Sequence, residues 1–171
     1  MINKKLLNIL HTLESQQVFF GPQGFLVINS PVALKEAQYG FGKDESGNDL
    51  SGSNAGDWQS SWIIIARDTE LGDPYFVDAS VDEFPVYTAF LGEAGWETEL
   101  VAASLAGFVD CINLLHRNGE QKEAQFVPDE NTIVAEAQLS ELLQQLSQQS
   151  ACQPFWQMFF RCYQDWLLED E

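Results

Sequence analysis

A chain of 171 residues, 45% of them hydrophobic, is long enough for one domain with a sizeable core. Twenty-six acidic against 8 basic residues give a net charge of −18, which works against binding nucleic acid or an anionic membrane surface and favours basic partners. Charged residues make up only 20%, and 12 Phe, 5 Trp and 4 Tyr argue against disorder.

In chain order, Leu6, Leu7, Leu10 and Leu13 share one helical face and predict a helix from about Asn3 to Glu14. "QVFFGPQGFLVI" reads as two short strands around a Gly-Pro turn. "SPVALKEAQ" predicts a short helix capped by Ser30, with Pro31 at its first position. Gly40–Asp57 is a Gly/Ser/Asn/Asp-rich stretch and reads as a mobile loop. "WIIIARD", "PYFVDAS" and "FPVYTAF" read as a three-strand antiparallel meander. Leu105, Phe108, Val109, Ile112 and Leu115 then recur at helical spacing, with Ser104 as cap and Gly119 as terminator. Residues 131–147 and 154–168 predict a helical hairpin. The second of these helices has so wide an aromatic face that it either closes the core or forms an interface. Asp170 and Glu171 oppose its dipole, which suggests a frayed end. The fold class expected is α+β: a mostly antiparallel sheet flanked by helices, with a C-terminal helical hairpin.

The patterns of common chemistries are missing. His11 and His116, the two histidines, both fall on predicted helices, which gives a Ser-His-Asp or Cys-His arrangement little to work with. Cys111, Cys152 and Cys162 lack zinc spacing. Gly42-Lys43 is followed by Asp44, and Ala37 stands where a phosphate loop needs its first glycine. No EF-hand spacing is present. The expectation is therefore no metal, no cofactor and no enzyme, with a hydrolase using a carboxylate pair as the remaining catalytic reading. Three cysteines without framework spacing fit a reduced compartment. With no signal-peptide pattern and no stretch near the roughly 18 apolar residues of a membrane span, the expected location is cytoplasmic.

The distribution of acids is more telling. From Asp68 to Asp110 there are ten carboxylates and no Lys or Arg. Asp68, Asp73 and Asp78 fall at predicted strand ends and turns, and Asp82, Glu83, Glu93, Glu97 and Glu99 in the connections that follow. Loops face partners. Trp96, in "LGEAGWETEL", has the composition around it of an interface anchor, or packs under its own loop. These nine residues form the candidate partner-binding set.

The order "W…IIIARDTELGDPYFVD…FPVYTAFLGEAGW…VAASLAGFVDCINLL" resembles the SUKH superfamily, bacterial proteins akin to the fungal Smi/Knr cell-wall regulators. The resemblance covers about residues 1–117, lacks the family's aromatic and proline-rich signature after the first helix, and leaves 118–171 as a helical extension packed on that domain. It implies a non-catalytic protein-binding module, and for many bacterial members an immunity protein that neutralises a polymorphic or contact-dependent toxin. An acidic inhibitor suits a nuclease, whose groove is basic. The alternative is a regulatory or scaffolding module, and both a monomer and a homodimer remain open.

Overall fold

The computed structural model describes residues 3–119 and 123–169. Among these residues six strands lie in chain order in one antiparallel sheet: β1 (Gln17–Phe20), β2 (Gln23–Val27), β3 (Trp62–Asp68), β4 (Pro74–Asp78), β5 (Val86–Gly92) and β6 (Gly95–Ala102). The helices are α1 (Lys4–Leu10), α2 (Pro31–Ala37), α3 (Leu105–Gly119), α4 (Glu136–Ser150) and α5 (Pro154–Glu169). The fold is the expected α+β class, but the sheet is wider than the three-strand meander. The β1–β2 hairpin joins it through Phe25–Asp68, Leu26–Arg67 and Val27–Ala66 pairing. Beyond β5, "GWETELVA" forms β6, where the sequence reads as connection.

Two cores fill the two faces of the sheet. The larger packs α1, α3, α4 and α5 against Val18, Phe20, Phe25, Val27, Ile65, Tyr75, Val77, Val86 and Val101. The smaller, on the other face, joins Trp58, Ile64, Phe76 and Ala89 with Phe41, Trp62, Tyr87 and Trp96. A β-bulge between Ile64 and Ala66 explains the unbroken apolar run of β3. It sends Ile64 to the small core while Ile65 and Ala66 both serve the large one.

The Gly-rich stretch 40–57 lids the small core. Leu50 N–H donates to Gly42 C=O (2.8 Å), Gly52 N–H to Trp58 C=O (2.9 Å), and Gly56 C=O accepts from Trp96 N–H (2.8 Å). Gly56 and Gly95 cross back to back at positive φ, and a Cβ on either would overlap the other chain segment. The stretch is thus tied to the sheet, against the expectation of a mobile loop.

Helix ends follow local chemistry. Ser30 Oγ accepts from Ala33 N–H (3.1 Å), with Pro31 at the first helical position, as expected. Ser104 Oγ likewise accepts from Gly107 N–H (3.0 Å) at the start of α3. Helix α1 stops at Leu10 rather than Glu14, because the Thr12 and Leu13 amides turn to the tighter Ile9 and Leu10 carbonyls and Thr12 Oγ1 donates to Ile9 C=O (2.6 Å). Helix α4 starts at Glu136 rather than 131, since Asp129 Oδ1 accepts from Asn131 N–H and Thr132 Oγ1 from Asp129 N–H (2.8 Å each). Helix α3 runs through the 117/118 boundary to Gly119, the expected terminator and the last described residue before 123, and the acidic end at Asp170 and Glu171 lies outside the described residues.

The aromatic face of α5 is core. Trp156 is 0% exposed, and Phe159, Phe160, Tyr163 and Trp166 are buried. Phe159 stacks on Phe25 (5.7 Å) and Tyr163 lies 4.6 Å from Phe20. Tyr163 Oη donates to Ile133 C=O (2.6 Å) and Trp166 Nε1 to Phe126 C=O (3.0 Å), so the 126–133 segment straps the helix down. Burial pushes the Tyr163 phenol up to about 12.

Candidate binding surface

Antiparallel pairing sends the β1–β2, β3–β4 and β5–β6 turns to one end of the sheet, here the upper end. The β3–β4 turn is built by Asp68. Its N–H donates to Asp73 C=O (2.8 Å), and its Oδ2 accepts from Leu71 N–H (2.7 Å). Arg67 is turned inward: its guanidinium lies 5.0 Å over the Phe41 ring, and Nη1 reaches Gly72 C=O (3.3 Å). Burial raises the Asp68 carboxyl pKa against the pull of backbone amides, and the charge of Asp73 adds to the rise. Tyr75, on the face toward the helices, is raised by burial first and then by Asp68, Asp73 and Glu99. Register explains this convergence, since Tyr75 pairs with Thr88 and Thr88 with Glu99.

The β5–β6 hairpin adds Glu93 in its turn and Glu97 and Glu99 along β6, all exposed. Among these acids stand three solvent-facing apolar side chains: Leu71 (77% exposed), Leu91 (67%) and Phe90 (56%). Sequence reasoning missed them: it placed Phe90 at the end of a strand and Leu91 in the connection after it. The available signal was their position beside the Gly92–Gly95 turn, where a strand outruns its neighbours.

The lower end holds the other three acids. Asp78 Oδ1 accepts from Ser80 Oγ (2.6 Å) and N–H (3.0 Å). Burial raises its carboxyl, but these bonds outweigh it and hold the pKa below the ordinary 3.8. Asp82 C=O accepts from Lys5 Nζ (2.9 Å), and Glu83 C=O from Leu105 N–H (3.1 Å) at the start of α3. Strand β4 separates the two ends by about 15 Å at a strand rise of about 3.3 Å per residue. The structure therefore gathers Asp68, Asp73, Glu93, Glu97 and Glu99 at or near one end and leaves Asp78, Asp82 and Glu83 at the other. Trp96 is half-buried in the small core, 5.3 Å from Trp58 and 5.5 Å from Phe41. It packs under the Gly-rich lid rather than projecting as an anchor.

Among the described residues no group of three or more His, Cys, Asp or Glu converges as metal ligands do. A groove of about 930 Å³ runs between α2, the lid and residues 59–63, with Lys35, Lys43, Glu45 and Asp49 on its walls. Hydrogen bonds from Ser51 hold the Asp49 carboxyl below its ordinary range, the opposite of a general acid. No helix among the described residues is long and apolar enough to cross a membrane. Comparison with protein-family models, curated proteins and solved structures gives no match for this chain.

Proposed function

We propose that this protein is a non-catalytic binding domain for a basic protein surface, engaged through the upper end of the sheet. The observation that carries the reading is the composition of that end. Asp68, Glu70, Asp73, Glu93, Glu97 and Glu99 share that end with exposed Leu71, Phe90 and Leu91, the last two on opposite faces of β5, while the adjoining Arg67 is committed to Phe41 and Gly72. Carboxylates steer a cationic partner inward and the apolar side chains give it area to bury. Asp78, Asp82 and Glu83 belong to the original candidate set but serve the lower end. The resemblance to the SUKH superfamily supports a more specific reading, an immunity protein that neutralises a toxin such as a nuclease with a basic groove. Three free thiols, at Cys111, Cys152 and Cys162, fit a cytoplasmic site of action.

Affinity capture from lysates of the cells that make the protein, read by mass spectrometry, tests this. The expected result is a basic protein domain retained by the native chain and lost with the Asp73→Lys/Glu93→Lys/Glu97→Lys variant. Retention of the same partner by that variant would overturn it.

A further inference from the structure

Strand β6 is the last in the sheet, so among the described residues one side of it has no neighbouring strand. Its two ends are closed. Trp96 N–H points outward to Gly56 C=O (2.8 Å), and Leu100 C=O accepts from Cys152 Sγ (3.3 Å) at the α4–α5 connection. In an antiparallel ladder, outward groups recur at every second residue. The same side therefore carries Trp96 C=O, both groups of Thr98 and Leu100 N–H, and none of these finds a partner among the described residues. Glu97, Thr98, Glu99 and Leu100 are all exposed.

We propose that this window is a strand-addition site for an extended segment of a protein partner that alternates cationic and apolar side chains. The inference rests on the basic-partner reading and specifies how the partner docks. Side chains alternate across a strand. Glu97 and Glu99 lie on one face, in register with Phe90 and Thr88, while Trp96, Thr98 and Leu100 lie on the other, in register with Leu91, Ala89 and Tyr87. A strand paired with Thr98 sets its flanking residues beside the two glutamates and its central residue on the apolar face. The matching pattern is cation, apolar or β-branched, cation. A second copy of this chain is the wrong occupant. Symmetric antiparallel pairing about Thr98 puts Glu97 opposite Glu99 twice, and like charges directly opposite destabilise a pair. The glutamates thus bar self-association at an open edge while admitting a basic strand.

The probe is a short peptide alternating Lys and Val, with a fully N-methylated copy as control, added at low salt to the isotope-labelled protein. Expected results are slowed hydrogen exchange at the Thr98 and Leu100 amides with the plain peptide and no such protection with the methylated one. Thr98→Pro should lose roughly tenfold in affinity, the scale of one or two main-chain hydrogen bonds. It should still fold, because its N–H lies outside the ladder. Equal binding of the methylated peptide, or protection at another element, overturns strand addition and leaves the basic-partner reading standing. Pairing of two copies through Thr98 also overturns it. Absence of binding by either cationic peptide removes the basic-partner reading along with it.

Discussion

Replacing Trp156 with alanine is the sharpest test of the core. Trp156 is 0% exposed and lies 5.0–6.0 Å, ring to ring, from Phe155, Phe159 and Phe25. Truncating a buried aromatic to alanine costs about 3–5 kcal/mol, through lost transfer energy and the cavity left behind. The indole N–H also donates to Val101 C=O (3.2 Å), and stranding a buried acceptor adds about 1–3 kcal/mol. Trp156→Ala should therefore fall near or above 5 kcal/mol, comparable with the whole stability of a marginal domain. Trp156→Phe keeps most of the ring and should register mainly the hydrogen bond, about 1–3 kcal/mol. Met158, on the same helix but 53% exposed, should change by less than about 0.5 kcal/mol on going to alanine. Urea unfolding followed by circular dichroism measures all three, with sedimentation to monitor assembly. If Trp156→Ala leaves the unfolding midpoint unchanged and instead splits an oligomer, the aromatic face of α5 is an interface and the packing account fails.

Three further outcomes follow from particular groups. Asp68 has a folded pKa raised above the ordinary 3.8, so its ionisation destabilises the fold as pH rises through the raised value. The gain in urea midpoint from Asp68→Asn should thus grow from pH 3.5 to pH 7, the window that spans the shift; a gain that shrinks with pH contradicts this. Gly56→Ala should destabilise by at least ~1–3 kcal/mol and expose tryptophan, seen as a red shift in fluorescence, because Gly56 meets the Ala94–Gly95 backbone at positive φ. Thiol titration of the native protein should find Cys162 reactive and Cys111 and Cys152 reactive only after denaturation, since the latter two are buried and burial raises the Cys111 thiol.

The legible parts of the sequence were those where one local rule acts alone. Gly21-Pro22, Ser30-Pro31 and Gly72-Asp73-Pro74 each mark a turn or a cap, and the structure puts one at each. Strand β6 was illegible because it is an edge. Glu97, Thr98, Glu99 and Leu100 are all exposed, so no apolar alternation marks it as a strand. The small core was hidden for another reason. Phe41, Trp58 and Trp96 are far apart in sequence, and the Gly56–Gly95 crossing, with the ring contacts of Phe41 and Trp58, brings the lid onto the sheet. The acid-rich run was visible by composition. Its division between two ends was not, because that depends on which strands run up and which run down. With five residues in β4, Asp73 and Asp78 fall at opposite ends of the sheet.

The central claim, that the upper end attracts a basic partner, is tested most directly by the association rate of the captured partner at two salt concentrations. Complementary charge accelerates encounter and is screened over a Debye length of about 8 Å at 0.15 M salt. Asp73→Lys/Glu93→Lys/Glu97→Lys should slow association at low salt and flatten its salt dependence, with a smaller effect on dissociation, while Asp82→Lys at the lower end changes the rate far less. An unchanged low-salt rate in the triple variant, or a larger loss from Asp82→Lys, would contradict the account.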